Sequence, residues 1–152
     1  MTDRRLDALV YEQMLLTRHA LHGVAPWARL DPLDRSATVL LARLAASGPM
    51  TVAQLAEAFE LDVSTVHRQV AAAMKHGLIE RIDDPDGGVA RKHRPSDLGR
   101  ERLTTELAGR RSSLERVMAE WSDEDLTTFV ALLRRFNEDV EQVRGRPWPR
   151  RD

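Results

Sequence analysis

The 152-residue sequence predicts a mainly α-helical protein with one small β-hairpin, on three observations. Two short amphipathic segments, TVAQLAEAF and DVSTVHRQVAAAMKHG, meet at a tight corner. LIERI and VARKHR follow, flanking the turn sequence DDPDGG. Longer helical stripes stand on both sides of this block. Helix, corner, helix and hairpin in that order make a winged helix-turn-helix, and they make double-stranded DNA the first partner to consider.

Each element has a local reason. Apolar residues at Leu6, Leu9, Val10, Met14, Leu21 and Val24 keep helical spacing, and Pro26 stops that helix. Asp34 is a suitable N-cap for the next helix, whose Val39, Leu40, Leu41 and Leu44 predict a broad buried face ending at Gly48-Pro49. Thr51 and Gln54 form a capping box for the first short helix, with Val52, Leu55, Ala56 and Phe59 as its inner stripe. Asp62 or Ser64 caps the second. Rotation by about 100° per residue puts Val63, Val66, Val70, Ala73 and Met74 inward. Ser64, Thr65, Arg68, Ala72 and Lys75 then point outward, with His67 and Gln69 on the shoulders. Ile79 to Ile82 and Val89 to Arg94 read as strands, with the two glycines between them predicting a mobile hairpin tip. Pro95-Ser96-Asp97 ends the hairpin and opens a polar helix from about Leu98 to Trp121. Ser122 and Asp125 resemble a second capping box, starting a last helix through Val143. Trp121 suits packing at that helix junction and Trp148 suits a tail anchor. The sequence thus reads as one domain, with residues 1–30 and 98–144 as dimerisation helices and 34–97 as the DNA-binding lobe. Residues 145–152, RGRPWPRRD with its preceding Arg144, read as a flexible basic tail.

Composition sets limits. A net charge of -1 gives no general attraction to a polyanion, so any DNA contact must come from charge placed locally. Lysine occurs only at Lys75 and Lys92, leaving arginine to supply the rest of the positive charge; arginine is the better bidentate reader of phosphate and guanine, but coding bias is the plainer explanation. The absence of cysteine excludes disulfides, thiolate metal sites and cysteine nucleophiles. There is no phosphate loop, nucleophile elbow or HExxH pattern, so no catalytic residues and no cofactor are expected. His19 and His22 lie three apart, but no Cys, Asp or Glu nearby completes a ligand set, and a structural or pocket-lining role is the simpler reading. With no unbroken apolar run at the N-terminus or elsewhere, a cytoplasmic protein with no membrane partner is expected.

The candidate DNA contacts follow from the outward faces. Arg68 lies opposite the core stripe of the reading helix, where a side chain reaches guanine edges or phosphate; its plainer reading is a solvated surface arginine. Ser64 and Thr65 stand at the helix start, where hydroxyls and N–H groups meet phosphate or simply cap. His67 and Gln69 are shoulder contacts or partly buried side chains. Arg91, Lys92, His93 and Arg94 form a basic run that is either a phosphate grip or a solvated strand edge, and Asp83, Asp84 and Asp86 oppose it.

The segment GPMTVAQLAEAFELDVSTVHRQVAAAMKHGLIER, the wing after it, Gly99 opening a long helix and the closing SDEDLTTFVALLRRFNEDVEQV together resemble the MarR (multiple antibiotic resistance regulator) family over almost the whole chain. The resemblance implies a homodimer of winged helix-turn-helix subunits on a palindromic operator. It also implies a repressor released by a small aromatic or anionic effector, held between the dimerisation helices and the lobe. On this sequence that pocket corresponds to Met14, Arg18, His22, Trp27 and Leu30. Members of the family carry Asp-Arg-Arg near the wing tip, the arginine entering the minor groove. Here Gly87, Gly88 and Val89 stand at that place, so that contact does not carry over, and Arg91, Lys92 and Arg94 remain as the wing's cations. The alternative is a dimer of the same fold that has weakened or lost DNA binding and acts as a protein-interaction module.

Overall fold

A computed structural model describes residues 4–22 and 33–150. Its elements run α1 (Arg4–His22), α2 (Arg35–Ser47), α3 (Val52–Phe59), α4 (Val63–Lys75), β1 (Ile79–Ile82), β2 (Lys92–Pro95), α5 (Asp97–Val117) and α6 (Asp123–Arg144). The mainly helical winged helix-turn-helix is the fold observed.

The core of the lobe is aliphatic and centred on α2. Leu40, Leu41 and Leu44 of that helix meet Leu55 of α3 and Val66 and Val70 of α4, and Leu78, Ile79 and Leu103 complete the cluster. Caps fix where these helices start. The Asp34 carboxylate accepts the Ala37 N–H at 2.7 Å, and this bond holds its pKa below the ordinary value. Thr51 and Gln54 exchange both bonds of the expected capping box, at 2.9 and 3.1 Å. Asp62 occupies the N-cap position of α4, but its side chain makes no capping bond. Two apolar residues expected inside are outside: Val63 is exposed at the first turn of α4, and Val39 is exposed on the flank of α2.

The wing is a two-stranded antiparallel hairpin in which Ile79 pairs with Pro95 and Ile82 with Lys92. Met50 adds a bridge on the far side of β2, exchanging backbone bonds with His93 at 3.1 and 2.8 Å. The second strand starts at Lys92 rather than Val89, because the preceding residues belong to the turn.

At the end of β2 the chain passes close under itself. The Ser96 N–H donates to the Leu78 carbonyl at 3.0 Å, and the Ser96 hydroxyl donates to the Gly77 carbonyl at 2.5 Å while accepting the Gly99 N–H at 3.0 Å. That hydroxyl therefore caps α5 and ties it to the end of α4. Glu106, buried one turn beyond Leu103, accepts the Leu33 N–H and pairs with Arg110, joining α5 to the approach to α2. Beyond Glu106, α5 leaves the lobe. It ends at Val117, four residues before the expected limit, and Trp121 packs edge-on against Phe129 at 5.4 Å across the junction. Ser122 caps α6 by accepting the Asp125 N–H, and acids in the first turn with Arg144 in the last suit the helix dipole.

The C-terminal segment corrects the expectation of a free tail. Gly145 turns the chain in the left-handed region, at φ 65°. Trp148 then stacks on Phe59 of α3, centroids 6.0 Å apart, under the guanidinium of Arg43 at 5.0 Å. Arg146 donates to the Glu57 carbonyl at 2.7 Å, Arg144 pairs with Glu60 at 3.0 Å, and Arg150 grips Glu141 with two bonds of 2.9 and 2.6 Å. Residues through Arg150 thus clasp the end of α6 to the lobe.

The close passage at Gly99 yields a test. A Cβ there would lie 2.0 Å from the Leu78 carbonyl oxygen and 3.0 Å from Leu41 Cδ2, so backbone must move. Gly99→Ala is expected to destabilise the protein by about 2–3 kcal/mol, read as a lowered urea midpoint. An unchanged midpoint would show that the crossing yields without strain.

Candidate nucleic-acid interface

Helix α4 turns Val66, Val70 and Ala73 into the core and presents the opposite side to solvent. Ser64, His67, Arg68 and Lys75 are exposed there, and Thr65 is half-buried with its hydroxyl accepting from Arg68 Nη2 at 3.4 Å. Neither Arg68 nor Lys75 has an acidic partner among the described residues. A cation left unpaired on an exposed helix face retains its full attraction for phosphate or a guanine edge. Gln69 is different: it is half-buried and turned toward a cleft beside α6 rather than toward the outer face.

The wing is arranged in the opposite sense. Arg91 pairs with Asp83, Arg94 Nε lies 2.6 Å from its cross-strand partner Glu80, and Lys92 Nζ lies 3.0 Å from Asp84 and 3.7 Å from Asp86. The Lys92–Asp84 pair is largely covered, each side chain being 14% and 13% exposed. The Asp86 N–H and then the Lys92 ammonium hold the Asp84 pKa down, and Asp84 in turn raises that of Lys92. The glycines of the tip serve this turn. Gly87 takes φ 82°, and a Cβ on Gly88 would strike the Asp84 carboxylate at 2.3 Å. The tip is a closed turn folded around Asp84, not the loose hairpin that its glycines suggested. Val89, expected to begin the strand, is fully exposed beside it.

His93 does not belong with the basic run. It is 5% exposed between Met50 and β1, with Nδ1 buried and unbonded. Burial pushes its pKa below the ordinary 6.5, a bond to the Met50 backbone works the other way, and the nearby charges of Arg81 and His67 add to the depression. It is a neutral core histidine.

The same neighbourhood identifies a residue that the sequence alone did not single out. Arg81 of β1 is exposed and has no acidic partner among the described residues, and its charge, like that of His67, reaches His93. That it stands opposite the buried His93 is visible only once the strands are paired. The candidate interface is therefore Ser64, Thr65, His67, Arg68 and Lys75 of α4 with Arg81 of the wing.

Comparison with known proteins bears on what such a surface is for. A family model described as MarR family matches residues 31–88, which span the lobe from the approach to α2 to the wing tip. An uncharacterized HTH-type transcriptional regulator of Bacillus subtilis, YxaD, is 34% identical over 133 residues, covering 88% of this chain and 93% of that protein. The chain belongs to the MarR family of transcriptional regulators. The fold agrees across its length. A MarR family protein from Bacillus stearothermophilus superposes with a TM-score of 0.80 at 22% identity, covering 92% of this chain and 98% of that one. A probable transcriptional regulator from Pseudomonas aeruginosa, 28% identical, covers 85% and 95% with a TM-score of 0.58.

The MarR resemblance implied an effector pocket at Met14, Arg18, His22, Trp27 and Leu30. Met14 is exposed on α1. Trp27, Leu30 and the side chain of His22 lie outside the described residues. Among the described residues no His, Asp or Glu cluster suits a metal ion, and no helix is long and apolar enough to cross a membrane.

Two expectations follow for this regulator. Freeing the wing cations by Glu80→Gln with Asp83→Asn should tighten duplex DNA binding several-fold at low salt. It should also steepen the dependence of log K on log salt by about one to two units. Unchanged affinity and slope would place Arg91 and Arg94 away from DNA. For His93 the unfolded chain takes up a proton near pH 6.5 and the folded chain only at lower pH. Its contribution to stability is thus complete above about pH 6.5 and is lost as pH falls toward the folded value, by at most about 1.4 kcal/mol per pH unit. Urea midpoints at pH 7.5 and 5.5 should diverge for the wild type and converge in His93→Gln; equal divergence in both would assign the effect elsewhere.

Proposed function

We propose that this MarR-family chain is a homodimeric, cytoplasmic repressor that reads a palindromic operator and is released by a small effector. The observation that carries dimerisation is α6: none of its 22 residues is buried in the single chain, although Leu126, Phe129, Leu133, Phe136 and Val140 keep one apolar stripe. The N-terminal helix shows the same pattern at Leu6, Leu9, Val10 and Met14. Two long apolar stripes exposed to water are stabilised when a second copy covers them. Dimerisation would hold two α4 helices at a fixed separation, suited to half-sites about one helical turn apart, roughly 34 Å. A small aromatic or anionic effector bound between the dimerisation helices and the lobe would act by favouring a spacing that no longer fits successive major grooves.

Reading of sequence rests on Arg68, with Ser64 and Thr65 at the helix start and His67 beside it. Lys75 and Arg81 supply attraction to phosphate, and Arg91, Lys92 and Arg94 engage DNA only by leaving their acids. The rival reading, a dimer that works as a protein-interaction module, draws support from those neutralised wing cations. The unpaired cations of α4 and β1 favour DNA. Sedimentation should give a dimer at micromolar concentration, and footprinting should find a protected palindrome. Arg68→Ala is expected to weaken that site by about 1–3 kcal/mol and relax its sequence preference, whereas Arg81→Ala should weaken all duplexes alike and lower the salt slope by about one. A dimer that protects no site even at low salt would favour the interaction module.

A further inference from the structure

We propose that residues 145–150 form a positioning strap for the reading helix, so that Trp148 governs DNA recognition without touching DNA. This rests on the DNA-reading role proposed for α4. None of the residues of α6 is buried, so α6 does not pack along the lobe. Arg144 and the strap tie its end there.

The strap lands on the helix-turn-helix corner. Glu57, Phe59 and Glu60, the last turn of α3 and its cap, receive it. Arg146 donates to the Glu57 carbonyl at 2.7 Å, and its guanidinium lies 3.6 Å from the Glu57 carboxylate and 3.5 Å from that of Glu60. A cation on the final carbonyls of a helix suits the negative end of the dipole. Glu60 is the left-handed residue at which α3 stops, and only Leu61 and Asp62 separate it from α4. Phe59 carries the stacked ring of Trp148, which also lies under Arg43 of α2. At the other end, Glu141 of α6 accepts two bonds from Arg150 and one from the Trp148 N–H, which hold its pKa below the usual carboxylate range. One tryptophan thus joins α2, α3 and α6.

The segment is suited to dock as a unit. Pro147 and Pro149 flank Trp148 and fix the backbone on both sides of it. A chain with fewer free conformations loses less entropy on docking. The Arg144–Glu60 pair is exposed, and such pairs contribute little each. The aromatic stack with its guanidinium is therefore the part whose loss releases the strap. With the strap docked, the α3–α4 corner keeps one distance from the end of α6, and the two reading helices of a dimer keep one separation. With it released, the lobe can turn about the crossing at Gly99. A reader held at one separation discriminates between half-site spacings, and a reader with many does not.

Trp148→Ala and a truncation after Gly145 release the strap and leave the aliphatic core intact, whereas Trp148→Phe keeps a stacked ring. Hydrogen exchange without DNA reads the corner. The Glu60 and Leu61 amides, which bond back to α3, should exchange about tenfold faster in both released variants and at the wild-type rate in Trp148→Phe, with the core amides of α2 unchanged. The second measurement uses a palindromic duplex that the wild type selects from a random-sequence library. One base pair inserted between the half-sites displaces them by about 3.4 Å and turns them by about 34°. It should weaken wild-type binding about thirtyfold and binding by the released variants about threefold, with Trp148→Phe behaving as wild type. Unchanged exchange at the corner in Trp148→Ala would overturn the proposal. So would a released variant that weakens on every duplex alike and keeps the wild-type spacing penalty, because the tail would then be a phosphate contact. Failure of the wild type to select any duplex would overturn the DNA reading itself, while the exchange rates would still decide whether the strap fixes the corner.

Discussion

At Gly99 the first turn of α5 crosses the junction of α4 and β1 so closely that a methyl group would meet the Leu78 carbonyl oxygen at 2.0 Å. Three other connections converge on the same point. Leu78 accepts the Ser96 N–H, Ser96 bonds Gly77, and the Leu78 N–H closes the end of α4 by donating to Ala73. The reading helix, the base of the wing and the start of the long helix are thereby fixed to one another within a few residues. The direction in which α5 leaves sets where α6 returns, and so where the clasp can reach α3. A larger residue at 99 would tilt α5, and the displacement would grow along a helix of 21 residues, about 31 Å long.

The second organising feature is how charge is divided. A chain with net charge -1 cannot approach DNA by bulk attraction. Here the acids of the hairpin stand against the hairpin's own cations, while Arg68, Lys75 and Arg81 are left without acidic partners among the described residues. The field facing outward from α4 and β1 is therefore more positive than the composition suggests. The wing in turn gains a closed shape: Lys92 and Asp84 staple the turn, and two glycines make room for the carboxylate at its centre. Its cations serve the fold first, which leaves the exposed cations of α4 and β1 as the ones free to attract a polyanion.

Local rules made much of this legible in the sequence. The caps at Asp34, Thr51 and Ser122, the core stripe of α4 from Val66 to Ala73 and the outward position of Arg68 all follow from spacing and side-chain chemistry within a few residues. What escaped depends on distant partners. That Arg91 and Arg94 are paired follows from strand register, which brings Glu80 opposite Arg94 across fourteen residues. His93 reads as one more base in a basic run until Met50 closes over it. Val39 and Val63 share helical stripes with core residues, yet the stripes are wider than the surfaces that cover them. The tail looked disordered because prolines and arginines do not specify a helix or strand; its order comes from Phe59, Arg43 and Glu141, which no local pattern links to Trp148.

In the proposed dimer, the clasp would also constrain how the lobe moves relative to α6. The lobe is held at one point by the Gly99 crossing and at another by Trp148, Arg144 and Arg146. The second point includes Glu60, a non-glycine residue in the left-handed region at φ 54°, a conformation that costs on the order of 1 kcal/mol. With both points closed, the lobe and the α5–α6 hairpin form a triangle whose sides cannot change independently. The lobe cannot then swing about Gly99 alone. A change in the separation of two reading helices must either arise where the dimerisation helices of the two subunits meet or begin with release of the clasp. The clasp is composed largely of exposed ion pairs around one tryptophan, and exposed pairs contribute little each. The aromatic stack is therefore the part that decides whether it holds. The two routes therefore differ in where the first movement would occur: at the proposed interface between subunits, or at the stack of Trp148 on Phe59.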